Sequence, residues 1–275
     1  MAYFNSYDGT QLYYKQWGQG QPIVFVHGWP LSSDTWDSIA LAFARKGYQA
    51  ISYDRRGFGR SDQPWEGYNY DSFAQDLGAL VDFLGLSSVH LVGFSMGGGE
   101  VIRYSSTVAP QKVKSISLLG SVVPFLQLTD DNPAGVPAEV FRGMQADILS
   151  GRSDFFANFF PNFYGNSMLT KQVSEAVLEW TRSMTMQAGL KGILDCIDAF
   201  GFTDFRSELP RIQVPALLIH GVADQVVPIE PSSRTAAKLL PNARLIEIED
   251  AHHGFLGTHE AFIIKSLEEH FLQQF

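Results

Sequence analysis

The chain has 275 residues, 45% hydrophobic and 18% charged, and 20 Lys and Arg against 29 Asp and Glu leave a formal net charge of −9. This balance excludes a disordered chain and supplies apolar side chains enough for a large core. The acidity repels phosphate backbones and anionic lipid surfaces, so neither a nucleic acid nor a membrane is expected as a partner.

In chain order, Tyr3 to Tyr7 and Leu12 to Trp17 flank Asp8-Gly9, a pair that tolerates positive φ and suits a hairpin turn. Short apolar runs then alternate with stretches of helical period: PIVFVHG, the segment from Trp36 to Ala44 closed by Gly47, and YQAISYD. Over Asp71 to Leu84, residues Phe73, Leu77, Leu80, Val81 and Leu84 share one helical face. VHLVGF, a helix opening at Gly97, and VKSISLLG extend this rhythm, which implies an α/β protein with a mainly parallel sheet covered by helices on both faces. From about Pro124 to Glu208 the strand signal vanishes and Phe, Met and Gln accumulate, which predicts a helical insertion. PALLIHG, a helix over Pro231 to Leu240, ARLIEIED and an amphipathic helix from about His259 resume the pattern. The expected organisation is a core of residues 1–123 and 208–275, interrupted by a helical cap over 124–207.

The N-terminal segment lacks the basic and apolar stretches of a signal peptide, and no apolar run reaches bilayer length. The one cysteine, Cys196, permits no internal disulfide and suits a reducing compartment. A soluble, cytoplasmic protein is the expectation, with a homo-oligomer left open.

The most informative stretch is LVGFSMGGGE, residues 91–100, where Ser95 stands between Gly93 and the run Gly97, Gly98, Gly99. Gly93 to Gly97 reads G-x-S-x-G on a turn from a buried strand into a helix, the context in which this motif carries meaning. Such a turn strains the serine backbone, lifts Oγ above the sheet and leaves no room for side chains two residues away. The helix that follows directs free N–H groups and positive dipole potential at a site where negative charge could develop. A plain N-cap serine would not need glycine on both sides.

A serine needs a base, and the base an orienting acid. Of the seven histidines, His27, His90 and His220 lie in or at the end of strands and read as scaffold, while His259 and His270 fall in the last helical segment, where a solvated or capping role is the default. His252 and His253 remain, in the loop after the last strand. Asp224 lies beyond PALLIH in GVADQVVP, where open α/β sheets gather functional groups, with a turn aspartate of the Asx type as the alternative. Serine, aspartate, histidine in that order is the α/β-hydrolase order. The backbone N–H groups of Trp29, in HGWP, and Met96 are the candidate oxyanion donors. Neither the GFG of YDRRGFGRSD nor the adjacent histidines build a nucleotide or metal site, so no cofactor and no metal is expected. Asp54 in that segment reads as scaffold, with Arg55, Arg56 and Asp62 available for local, exposed ion pairs.

With these residues placed, the sequence resembles the α/β-hydrolase superfamily, and within it the cofactor-free haloperoxidase, perhydrolase and aryl esterase group. FVHGWPLSSDTW, YDRRGFGRSD, GYNYDSFAQDL, LVGFSMGGGE, TDFRSELPRIQVPALLIHG, DQVVP and AHHGF carry the likeness over most of the chain outside the insertion. The resemblance implies an eight-stranded, mostly parallel sheet with a helical cap, Ser95 as nucleophile and Asp224 as acid. It also singles out His253 as base, because the group's histidine is followed by Gly-Phe; His252 stands where the group often carries proline. Members hydrolyse small esters, aryl esters and lactones, and many exchange the acyl group with peroxide to give a peracid. The Trp29-Pro30 pair resembles the haloperoxidase-named members and hints that peroxide competes with water.

The insertion's FFANFFPNFYG, residues 155–165, with Phe125, Phe141, Trp180, Met184 and Met186, would supply an apolar lid, from which Phe125 and Phe159, together with Val226, are expected to wall the substrate pocket. Competing readings are a C–C bond hydrolase of aromatic degradation on the same fold and a ligand receptor that keeps the pocket without turnover.

Overall fold

The structure, a computed structural model, describes residues 2–272. The Asp8-Gly9 turn, with Thr10 N donating to Asp8 Oδ1, joins β1 (Ala2–Asn5) to β2 (Gln11–Trp17) as an antiparallel hairpin. The apolar runs become β3 (Gln21–Val26), β4 (Tyr48–Tyr53), β5 (Val89–Phe94), β6 (Val113–Leu119), β7 (Ala216–Gly221) and β8 (Ala243–Ile248), which pair with one another in parallel, while β4 also pairs with β2 antiparallel. Among the described residues they form one eight-stranded sheet in the order β1-β2-β4-β3-β5-β6-β7-β8. The interior strands β5 and β7 are buried along their whole length, as continuous apolar runs with both faces covered must be.

Helices α1 (Asp37–Arg45), α2 (Tyr70–Phe83) and α3 (Met96–Arg103) make the first three crossovers. Asn69 caps α2 by accepting from Ser72 N, and Phe73, Leu77, Leu80 and Val81 turn inward, as the helical period predicts. The chain crosses one way from β3 through α1 to β4, then jumps back over β3 through α2 to β5. Right-handed crossovers in opposite directions put α1 and α2 on opposite faces, and the loops after β3 and β5 diverge to leave a crevice between them. Val26 pairs with Gly93, so the residues just after each strand, Gly28 and Ser95, meet at that crevice. A Cβ on Gly28 would lie 3.0 Å from Ser95 Cβ.

Between β6 and β7 the chain forms α4 (Ala138–Tyr164), interrupted at Gly151, then α5 (Glu175–Met186) and α6 (Leu190–Phe202). The rest is α7 (Thr235–Leu239), α8 (Phe255–Thr258) and α9 (Glu260–Leu272). Helix α7 is shorter than the span expected from Pro231, because Ser232 leaves helical φ/ψ and turns its hydroxyl to Pro228 O at 2.6 Å. His270 is neither solvated nor a cap: it is buried and its Nε2 lies 3.1 Å from Ile116 O. No helix among the described residues is long and apolar enough to cross a membrane.

Candidate active site

Ser95 directly follows β5 with φ 54° and ψ −121°, and it is the one non-glycine residue with positive φ among the described residues. Strain of this kind costs on the order of 1–3 kcal/mol and persists only where the surroundings enforce it. Here Ser95 N donates to Leu119 O at 2.8 Å, while Ser95 O accepts from Gly98 N at 3.0 Å and Val122 N at 3.3 Å. The flanking glycines are required by close approach: a Cβ on Gly93 would sit 2.6 Å from Gly97 O, and one on Gly97 would sit 2.5 Å from Val26 O.

His253 occupies the loop between β8 and α8, its ring held between Phe94 and Phe163, each centroid 5.1 Å away. Its Nε2 lies 2.9 Å from Ser95 Oγ and its Nδ1 2.5 Å from Asp224 Oδ2. Asp224 follows β7, and its Oδ1 accepts from Val226 N and Val227 N, both at 2.9 Å. The Asx turn and the histidine contact, alternatives in the sequence, are thus made together: one oxygen fixes the carboxylate while the other faces the imidazole. Burial alone would raise the Asp224 carboxyl, but His253 and hydrogen bonds from His220 and His253 outweigh it and hold the group well below the ordinary carboxylate range. His252, the other candidate, packs against Gly165 at the end of α4, and the contacts to Asp224 and Ser95 are made by His253.

Ser95 and His253 open onto a cavity of about 250 Å³. Its walls are mostly apolar, among them Trp29, Val122, Leu126, Phe141, Phe159 and Val226; the other polar lining comes from Asn162 and Gln225, and no charged side chain lines it among the described residues. Phe159 and Val226 therefore stand where the sequence suggested, but Phe125 does not line the cavity. Its ring lies under the Arg206 guanidinium at 5.0 Å, and its neighbours Leu126 and Val122 face the space instead. Met184 is buried with its sulfur near Ser32 N, and Trp180 and Met186 are partly exposed outside the cavity. Trp29 is fixed by a bond from Nε1 to Ile193 O and by edge contacts with Phe159 and Phe200. The Trp29 and Met96 N–H groups donate to no protein acceptor among the described residues.

The DRRGFGR segment departs from the exposed pairs expected of it. Asp54, Arg55 and Arg56 are all buried; Arg55 pairs with Glu100, Arg56 with Asp76 and Asp8, and Asp54 with Arg60. Asp62 accepts from Gln11 N instead. His220, read as scaffold, lies 3.3 Å from Asp224 Oδ2 and is a neighbour of the site that strand position alone did not reveal. Among the described residues no three His, Cys, Asp or Glu side chains are grouped to hold a metal ion.

Comparison with known proteins agrees with this fold. Residues 21–260 match the family model described as the alpha/beta hydrolase fold. The chain is 41% identical over 271 residues to a bifunctional esterase/perhydrolase of Acinetobacter calcoaceticus, covering 97% of this chain and 98% of that one. It is 43% identical over 259 residues to a non-heme haloperoxidase of Rhodococcus erythropolis, covering 92% and 93%. A crystal structure of a bromoperoxidase from Bacillus anthracis superposes with a TM-score of 0.95 at 37% identity over 99% of both chains. The chain belongs to the α/β-hydrolase fold family.

Proposed function

We propose that the protein is a serine esterase that cleaves small neutral carboxylic esters, aryl esters or lactones through an acyl-enzyme, with peroxide able to replace water as acyl acceptor. The observation that carries this reading is the chain Ser95 Oγ, His253 and Asp224 at the wall of an apolar cavity. His253 Nε2 takes the proton as Ser95 Oγ attacks the carbonyl carbon, and returns it to the leaving alkoxide; Asp224 Oδ2 stabilises the imidazolium. The Trp29 and Met96 N–H groups receive the oxyanion. Water, deprotonated by the same histidine, then releases the acid; hydrogen peroxide attacking the same ester carbon releases a peracid. The reaction needs no cofactor in this scheme, and residues 124–207 act as a cap over the core formed by 1–123 and 208–275.

The related esterase/perhydrolase and haloperoxidase support both acyl acceptors. An uncharged lining favours neutral substrates, since a carboxylate would be desolvated without a cation to meet it. That weighs against the ring-cleavage dienoates of a C–C bond hydrolase. A buried Cys196 suits a reducing cytoplasm.

The test is a panel of p-nitrophenyl esters and lactones, with and without hydrogen peroxide, on wild type beside Ser95→Ala. Turnover of short neutral esters, peracid in the presence of peroxide, and loss of about 10⁴-fold in Ser95→Ala are expected. Ser95→Ala activity within tenfold of wild type, or turnover of dienoates alone, would refute the reading.

A further inference from the structure

A peptide N–H shares a rigid plane with the carbonyl of the preceding residue, so whatever grips that carbonyl aims the N–H. For Met96 the carbonyl is Ser95 O, already bound by Gly98 N and Val122 N. For Trp29 it is Gly28 O, which accepts from Leu31 N at 3.0 Å and lies 2.8 Å from His27 Nδ1. Arg55 N lies 3.0 Å from His27 Nε2. A backbone N–H can only donate, so Nε2 is the bare acceptor and Nδ1 carries the proton toward Gly28 O.

The ring is 1% exposed and meets Phe58 edge-on at 5.7 Å. Burial first, then the Arg55 charge, lower its pKa to about 3, so the ring stays neutral and keeps this tautomer at working pH. Arg55 also donates from Nη2 to His27 O at 2.9 Å and from Nε to Glu100 Oε2 at 2.8 Å. Glu100 belongs to α3, the helix that begins at Met96. One buried chain of contacts, from Glu100 through Arg55 and His27 to Gly28, thus ties the helix carrying one oxyanion donor to the peptide carrying the other.

We propose that His27 is a positioning residue for ester cleavage: anchored by Arg55 and Glu100, its Nδ1–H holds the Gly28–Trp29 peptide so that the Trp29 N–H and the Met96 N–H converge on the same oxyanion. This rests on Ser95 being the nucleophile. The oxyanion exists only after attack, so losing the alignment lowers kcat and spares KM. Removing a whole donor from such a hole costs about 10²–10³-fold, and misaiming one costs less.

The experiment compares wild type, Ser95→Ala, His27→Phe and His27→Asn with p-nitrophenyl acetate, phenyl trifluoromethyl ketone and phenol. Addition of Ser95 Oγ to the ketone carbon, with its proton passing to His253, creates the oxyanion without a leaving group; phenol binds without one. Wild-type turnover that survives in Ser95→Ala would overturn the functional reading itself, independently of His27. With that reading intact, His27→Phe should lose about 10- to 100-fold in kcat with KM within about threefold, and lose ketone affinity in parallel while phenol affinity holds. His27→Asn, which keeps a short donor, should recover most of both. A folded His27→Phe with kcat within twofold of wild type, equal losses for ketone and phenol, or His27→Asn as impaired as His27→Phe would overturn the proposal. Should His27→Phe not fold, long-range ¹H–¹⁵N NMR of wild type decides: a His27 ring protonated on Nδ1 alone from about pH 5.5 to 9 supports it, and an Nε2–H or a titrating ring overturns it.

Discussion

Asp54 and Asp224 make an instructive pair. Both follow parallel strands, β4 and β7, both are buried, and both carboxyls sit below the ordinary range because hydrogen bonds and opposite charge outweigh a burial that would raise them. Their partners differ. Asp54 is filled: Ser33 N and Oγ bind Oδ1 at 2.8 and 2.6 Å, and Arg60 N and Nε bind Oδ2 at 2.8 and 2.7 Å. Asp224 has one oxygen filled by backbone, while the other leads through His253 to Ser95 and a cavity. Burial and a depressed pKa therefore do not distinguish an acid suited to catalysis from a scaffold acid. An oxygen that faces a movable proton next to open space does.

The sharpest way to break this comparison is to neutralise each carboxylate in turn. Asp224→Asn should lower kcat/KM for p-nitrophenyl acetate by about 10³–10⁴-fold, because the amide cannot stabilise the imidazolium and favours the wrong tautomer. Asp54→Asn should instead lose about 2–4 kcal/mol in urea unfolding, since the buried Ser33 and Arg60 donors lose a charged acceptor and Arg60 keeps only Asp34 as a carboxylate partner, while the folded protein keeps kcat/KM within about fivefold. Equal catalytic losses in the two variants would erase the distinction.

The effect of pH sharpens the same contrast. A carboxyl whose folded pKa lies below its unfolded value contributes stability that is present above the unfolded value, about 3.9, and disappears as pH falls through the folded one. The stability gap between wild type and Asp54→Asn should accordingly narrow, by up to about 1 kcal/mol, between pH 7 and pH 3. A gap independent of pH would place the loss in packing rather than charge.

A smaller effect is expected at the cavity wall. Phe159→Ala should enlarge the space beside Ser95 and shift relative kcat/KM toward longer acyl chains by about fivefold across a p-nitrophenyl ester series. An unchanged profile would remove Phe159 from the substrate contact surface.

Much of this architecture was legible because its signals are local. The apolar run VHLVGF is β5 residue for residue, the glycines around Ser95 record a backbone crossing, and Asp224 and His253 each lie in a loop just past a strand. What stayed hidden depends on residues far apart in sequence. The partners of Arg55 and Arg56 come from α3 and α2, so their pairs read as local and exposed when they are distant and buried. Past β6 the chain has no period to say which side chain faces inward, and packing on Arg206 turned Phe125 away from the cavity that Leu126 lines. His220 ends a buried strand like any core residue; its nearness to Asp224 arises from the turn that follows.

The most direct measurement is peptide mass spectrometry of protein acid-quenched within milliseconds of mixing with p-nitrophenyl acetate. An acetyl group on the peptide containing Ser95, absent when Ser95→Ala is treated alike, is the result the account predicts. Turnover with no acetyl on Ser95, or an acetyl that forms elsewhere and tracks the rate, would contradict it.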